Sequence, residues 1–262
     1  MILLDTQPLW ISGALIIGVA TLLAMAGPVL VRWRITPDRL KLNNEVAGFT
    51  FATVGVLYAV LLAFAIIIVW EKFSQAENAA AQEAGAAATL YRLSHGIGED
   101  PGERLRDSLT RYARMAATED WAAMERNGSS HKVTQALDAT YAVLLTYTPG
   151  DGRGITLLAE ALHQLDLLTE ARRTRLVLAS GAVPGVLWFV LAGGAVLTVG
   201  FTLFFGTENL RVQALMTGVL SLLIFSGLLV IIAINHPFAG PVRVKPEALM
   251  AVIEDFEAKA QP

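Results

Sequence analysis

Four long apolar stretches constrain this chain more than any other feature of its sequence. They cover residues 8–31, 47–70, 176–207 and 212–235, and none contains a charged side chain. A helix needs about 20 apolar residues to cross roughly 30 Å of hydrocarbon, and each stretch reaches that length. Because a backbone in lipid must satisfy its own hydrogen bonds, we expect all four to be transmembrane helices.

The charged residues are concentrated between these stretches. They make up 16% of the 262 residues, whereas soluble domains usually have about 25%. The first stretch lacks a preceding basic residue and a cleavage site, so we expect a retained helix instead of a signal peptide. The sequence contains no cysteine, which excludes disulfides and thiolate sites. A net charge of −3 gives no reason to expect nucleic acid as a partner.

The segment between the second and third stretches, residues 71–175, has the pattern of a helical soluble domain. Its alanine-rich start, residues 71–94, should continue the second transmembrane helix. Asp100 and Pro101 should cap a helix that runs to residue 126. Ser129 or Ser130 should cap the next, and a helix from Ile155 should lead into the third stretch.

We therefore predict an all-α membrane protein with four transmembrane helices and a helical-bundle soluble insertion between the second and third. A last amphipathic helix over residues 246–260 should dock on the soluble domain or on a neighbouring subunit. The predicted domains are residues 1–70 (helices 1 and 2), 71–175 (soluble domain), 176–236 (helices 3 and 4) and 237–262 (C-terminal segment).

Motifs that suggest chemistry are weak in this chain. The glycine-rich residues 150–154 follow no strand, so we interpret them as a turn and not as a phosphate loop. Glu160 and His163 have the spacing of one half of a di-iron site, but the second half is missing. The sequence shows no nucleophile–base–acid set, and we expect neither an enzyme, nor a metal site, nor a cofactor.

Two features near the membrane have alternative interpretations. Tyr58 needs a partner for its hydroxyl, which is either a structural contact or water in a passage. Arg172, Arg173 and Arg175 are either an interfacial membrane anchor or a basic pore mouth formed by several subunits. No ionisable residue lies inside a span, which argues against a proton-coupled transporter but permits a hydrophobically gated channel.

Several motifs resemble one known family. The segments NEVAGF (44–49), VGVLYAVLLAF (54–64) and VWE (69–71), with LYR (90–92) and HPFAG (236–240) as later landmarks, are similar to the bestrophin-like integral membrane proteins of bacteria, a domain of unknown function. The resemblance implies a protein of the bacterial inner (plasma) membrane.

The family name points to bestrophins, which are pentameric anion channels with four membrane helices per subunit. This resemblance implies a homo-oligomer in the lipid bilayer, an inorganic anion such as chloride as the permeant ion, and a pore lined by the second span. The pore-lining residues would be Phe51, Val54, Tyr58 and Leu62. The acidic calcium site of bestrophins is not carried over, because the region around residues 241–245 is basic here.

Two hypotheses for function follow. The first is an oligomeric bestrophin-like ion channel that conducts anions. The second is a non-conducting membrane scaffold or sensor whose helical domain binds a partner. Lysine and arginine are nearly balanced on the two sides of the spans, so the positive-inside rule does not assign an orientation. The resemblance favours a cytoplasmic location for residues 71–175.

Overall fold

The computed structural model describes residues 9–42 and 44–260, and every long regular element in these ranges is a helix. The α-helices are α1 (Leu9–Arg32), α2 (Pro37–Lys41), α3 (Asn44–Ser94), α4 (Glu99–Met115), α5 (Trp121–Met124), α6 (His131–Thr146), α7 (Gly152–Leu178), α8 (Gly185–Phe201), α9 (Leu210–Ile234) and α10 (Glu247–Ala260). A π-helical turn, Ala116–Asp120, joins α4 to α5, and a 3₁₀ turn, Thr202–Phe204, follows α8.

The chain divides into two compact units. The membrane unit contains the described residues up to Glu71 together with Ala182–Asn235. The helical unit contains Lys72–Gly181 and the described residues from His236 onward.

Within residues 9–42 and 44–260, four helices are long and apolar enough to cross a membrane. They are α1, α3, α8 with its 3₁₀ turn, and α9. Many of their large apolar side chains are exposed, including Leu22, Phe64, Phe189 and Leu223. Exposed apolar surface on this scale is suited to lipid or to other protein subunits.

The predicted extension of the second span is confirmed, because α3 runs without a break through 51 residues. The prediction that α7 leads directly into the third span is wrong. Helix α7 ends at Leu178, and α8 begins only at Gly185. Pro184 is the N-cap of α8 with extended backbone angles. Because a proline lacks the N–H that an interior helical residue donates, it is suited to a helix start and not to the middle of a longer helix.

The predicted boundaries inside the helical unit hold to within a few residues, but their caps differ. Gly98, with φ of +117°, precedes α4 as its N-cap, so Asp100 lies within the first turn and is not the cap. Ser130 is the N-cap residue of α6, one of the two predicted, but its side chain makes no capping hydrogen bond. Asp151 does cap α7, since its Oδ1 accepts a hydrogen bond from the Gly154 N–H at 2.7 Å.

The C-terminal helix α10 packs on the helical unit of its own chain. Phe256 stacks on Tyr91 with ring centroids 4.0 Å apart, and Leu249 is fully buried. The segment before α10 is fixed as well, because the Trp121 indole N–H donates to the Val244 carbonyl at 3.1 Å. The sequence left open whether this helix docks on the soluble domain or on a neighbouring subunit. In the structure it packs on the helical unit of its own chain.

Candidate functional site

The second span has one face packed inside the membrane unit and one face exposed. The exposed residues directly opposite Tyr58 follow a spacing of three, four or seven residues. We call them the outer face of α3: Phe49, Thr53, Val56, Val60 and Ile67. Residues with this spacing lie along one line of a helix. The face is uncharged throughout.

The four residues predicted to line a pore lie on the packed face. Tyr58 is 4% exposed, and its hydroxyl donates to the Leu191 carbonyl of α8 at 3.2 Å. The structural partner considered for this hydroxyl is therefore present within the chain. Phe51 and Val54 are half-buried, and the Phe51 ring meets that of Phe205 edge to face at 5.6 Å.

Leu62 also packs inside the membrane unit, against the cluster that contains Tyr58 and Ile224. A Cβ at Gly227 of α9 would come within 2.8 Å of the Leu62 side chain, so the two helices approach closely here. The packed face thus holds α3 against its own subunit. Pore lining by these four residues stays a prediction.

Two of the three arginines near the end of α7, Arg172 and Arg175, form buried ion pairs inside the helical unit. Arg175 is fully buried in the helical unit. Its Nε donates to Glu83 Oε2 at 2.5 Å, and its Nη2 donates to Glu83 Oε1 at 3.0 Å and to Asp120 Oδ2 at 3.3 Å. Arg172 is also buried, and it donates from Nε to Asp120 Oδ2 at 2.8 Å.

We call Glu83, Asp120, Arg172 and Arg175 the arginine–carboxylate network. Its two positive and two negative groups balance in charge. The membrane-anchor and basic-mouth interpretations are therefore wrong for Arg172 and Arg175, because a buried and paired guanidinium is not available to headgroups or to ions. Arg173 is exposed and is the one arginine of the three that remains open to either role.

The surroundings of the network complete its hydrogen bonding. The Tyr112 hydroxyl donates to Glu83 Oε1 at 2.7 Å, and the Arg175 guanidinium lies 4.3 Å from the centre of the Trp121 ring. Burial, and then the Glu83 carboxylate, raise the pKa of Tyr112 well above its ordinary value. Burial by itself would lower the pKa of Arg175, but Glu83 and Asp120 outweigh it and the pKa is raised. The arginine therefore stays charged inside the bundle.

The spacing of Arg172 and Arg175 along α7 could have predicted their burial, although the apolar pattern alone did not. The buried positions of α7 follow one regular spacing of three and four residues, and both arginines occupy it: Ala161, Leu165, Leu168, Arg172, Arg175. Glu83 lies on the same kind of stripe in α3, between Ala80 and Ala87. Charged residues at core positions on two helices indicate a buried ion pair.

The motifs that were interpreted as local structure behave as such. Residues 150–154 form the turn and first residues of α7. Glu160 accepts a hydrogen bond from Gln164 at 2.8 Å, on the exposed side of the same helix. Asn127 adopts a left-handed φ of 56° at the end of the segment that contains α5, as expected for a loop.

A family model described as the bestrophin-like domain matches residues 18–249, which is most of the chain. The chain belongs to the bestrophin-like family. The predicted resemblance is therefore confirmed, and the protein is an integral membrane protein. A search of the curated proteins finds no match.

Solved structures share the fold of this bestrophin-like protein at low sequence identity. A single-residue variant of a bacterial bestrophin homologue from Klebsiella pneumoniae has a TM-score of 0.73 and 14% identity, over 94% of this chain and 99% of that one. A second variant of the Klebsiella pneumoniae homologue has a TM-score of 0.70 and 14% identity, over 92% and 97% of the two chains. A variant described only as a membrane protein has a TM-score of 0.69 and 17% identity, over 93% and 97%.

Proposed function

We propose that this bestrophin-like protein is an oligomeric ion channel that conducts anions across the bacterial inner membrane. The single observation that supports this most is the family match over residues 18–249. The proposed topology has four spans, with Lys72–Gly181 of the helical unit between the second and third and the rest of that unit after the fourth. The subunit number follows the bestrophins, which are pentamers.

The outer face of α3 is the proposed pore lining. Val56 and Val60 are exposed in the single chain, although valine side chains prefer burial in lipid or protein. The spacing of the outer face matches the seam along which helices of several subunits meet. A constriction built of such apolar side chains gates by dewetting and needs no charged residue in the membrane.

Exposed arginines supply the proposed preference for anions. Arg34, Arg39 and Arg211 are exposed and have no ion pair with a described residue. Positive groups near the end of a pore raise the local concentration of anions. In this proposal the buried arginines of the helical unit do not contribute to selectivity.

The absence of cysteine from the sequence permits a direct test of the pore lining. Single variants Val56→Cys and Val60→Cys place a thiol on the outer face of α3. Val19→Cys in α1 and Val219→Cys in α9 are matched controls, since both valines are exposed to a similar degree in the single chain. Tyr58→Cys tests the packed face.

The measurement is modification by a negatively charged, membrane-impermeant thiosulfonate in proteoliposomes. A thiol in a water-filled pore reacts and a thiol in lipid does not, so the two α3 valine variants should be labelled and the two controls should not. Labelling of Tyr58→Cys with no labelling at Val56 or Val60 would restore the pore-lining assignment made from the sequence. Equal protection of Val56, Val60 and the controls would contradict a pore along α3.

A further inference from the structure

Arg32, at the end of α1, is held by neutral oxygen atoms only. Its Nη2 donates to the Thr207 carbonyl at 2.6 Å, to the Thr207 hydroxyl at 3.0 Å and to Gln213 Oε1 at 2.8 Å. All three groups belong to the membrane unit. The acceptors fix the guanidinium in place without cancelling its charge.

The surrounding loop is built to keep these acceptors in position. Gln213 is buried, and its Nε2 donates to the Phe205 carbonyl at 2.7 Å. Asn44 exchanges two hydrogen bonds with Gly206, from Nδ2 to the carbonyl at 3.0 Å and from the Gly206 N–H to Oδ1 at 2.9 Å. The segment from Phe205 to Thr207 is therefore anchored by Gln213 and by Asn44.

Arg32 has no carboxylate partner among the described residues. The nearest acids in the sequence of this region, Asp38 and Glu208, pair with Lys41 at 4.0 Å and 2.9 Å. The Arg32 Nε is buried without an acceptor. The dipole at the C-terminus of α1 offsets only about half an elementary charge. A half-buried guanidinium whose charge no carboxylate of the described chain balances is suited to bind an anion from outside the chain.

The region as a whole carries an excess of positive charge. The loop residues and helix ends around Arg32 contain Arg34, Arg39, Lys41 and Arg211, against the acids Asp38, Glu45 and Glu208. A basic site at the ends of membrane helices is typical of recognition of a phosphate headgroup. A guanidinium is suited to such an oxyanion because its planar donors match the geometry of phosphate oxygens.

We propose that Arg32 is the centre of an oxyanion site that binds a phosphate group at the membrane surface. Nη1 of Arg32 supplies the donors to the phosphate, while Thr207 and Gln213 hold the guanidinium in position. The phosphate belongs either to an anionic lipid headgroup or to a soluble phosphate, since the two share one chemistry. The site does not depend on whether the protein conducts ions.

The test compares Arg32→Gln with Arg34→Gln, an exposed arginine of the same loop with the same change of charge. Each purified protein is titrated with phosphatidylglycerol, phosphatidylcholine or inorganic phosphate in detergent, and the bound species is measured by native mass spectrometry. We expect Arg32→Gln to weaken binding of the anionic ligand about tenfold, which corresponds to the loss of one charge-assisted hydrogen bond. Arg34→Gln should change it less than twofold.

The possible results distinguish a lipid headgroup from a soluble phosphate, and both of these from a purely structural role of Arg32. Binding of phosphatidylglycerol that depends on Arg32 assigns a lipid headgroup, and binding of inorganic phosphate that depends on Arg32 assigns a soluble anion. Arg32→Lys keeps the charge without the planar fork, so it should bind more strongly than Arg32→Gln, and it replaces that variant if the latter does not fold. Equal affinity in the wild type, Arg32→Gln and Arg32→Lys would overturn the proposal and leave Arg32 as a structural clamp.

Discussion

Removal of Arg175 should be among the most destabilising single changes in the helical unit. Arg175→Met deletes a fully buried guanidinium that donates twice to Glu83 and once to Asp120. Asp120 keeps Arg172 as its partner. Glu83, in contrast, is left as a buried carboxylate whose remaining hydrogen bond comes from the Tyr112 hydroxyl.

The size of the effect follows from the buried charge that remains. Removal of one partner of a buried ion pair costs about 3–5 kcal/mol. For a unit of this size each kcal/mol corresponds to roughly 3 °C in Tm, so the melting temperature of the helical unit should fall by about 10–15 °C. Arg173→Met, at an exposed neighbouring position, should change stability by less than about 0.5 kcal/mol.

A double-mutant cycle distinguishes an uncompensated charge from lost packing. Glu83→Gln removes the charge that Arg175→Met would leave behind and still offers an acceptor to Tyr112. The double variant should therefore be more stable than the sum of the two single changes predicts, by about 2 kcal/mol. Thermal unfolding of the purified protein in detergent, followed by tryptophan fluorescence, measures all four proteins because Trp121 lies against Arg175. Additive effects, or an Arg175→Met variant within 1 kcal/mol of the wild type, would refute the reasoning.

Three further variants test side-chain packing and the titration of Tyr112. Gly194→Ala should cost about 1–3 kcal/mol, measured by thermal unfolding in detergent, because its Cβ would overlap the ring of Tyr58; Gly193→Ala meets open space and should be neutral. Phe256→Ala should cost about 3–5 kcal/mol and speed proteolysis of the C-terminal helix, because it removes a buried stacked ring; unchanged proteolysis would contradict the docking of α10. The raised pKa of Tyr112 stabilises the fold below the unfolded pKa of about 10, and this contribution is lost as the pH rises toward the folded value. Unfolding measured from neutral to alkaline pH should show that Tyr112→Phe has a shallower decline, and identical slopes would count against this titration.

The membrane-capable helices could be predicted from the sequence because hydrocarbon imposes a simple rule. A span without charge over about 20 residues has few alternatives to a helix. The start of the third helix could not be placed correctly, since residues 176–184 are as apolar as the helix that follows. There the local rule for proline, which makes Pro184 a helix start, outweighs hydropathy.

The roles of the arginines could not be derived from hydropathy because they depend on contacts between distant segments. Arg175 and Glu83 are separated by 92 positions in the chain. The position of Arg172 and Arg175 just before the apolar third stretch favours an interfacial interpretation. Their register with the buried leucines of α7, in contrast, indicates burial. Register is the more reliable guide here, because it fixes the direction of a side chain from its own helix.

For a similar reason, the sequence does not determine which face of the second span packs inside the subunit. Both of its faces are apolar, so composition does not say which one packs within the subunit. Tyr58 carries the deciding contact, since its hydroxyl requires an acceptor and finds the Leu191 carbonyl. A hydrogen-bonding group on one face of an apolar helix is thus a useful indication of the packed face.

The central proposal of an anion channel is tested most directly by current across a planar bilayer under a potassium chloride gradient. The purified protein, shown beforehand to be folded and oligomeric, should give discrete openings whose reversal potential lies near that of chloride. A reversal potential near that of potassium would contradict anion selectivity while keeping the channel. The absence of any current from such preparations would contradict the channel itself and favour a membrane protein whose helical unit binds a partner.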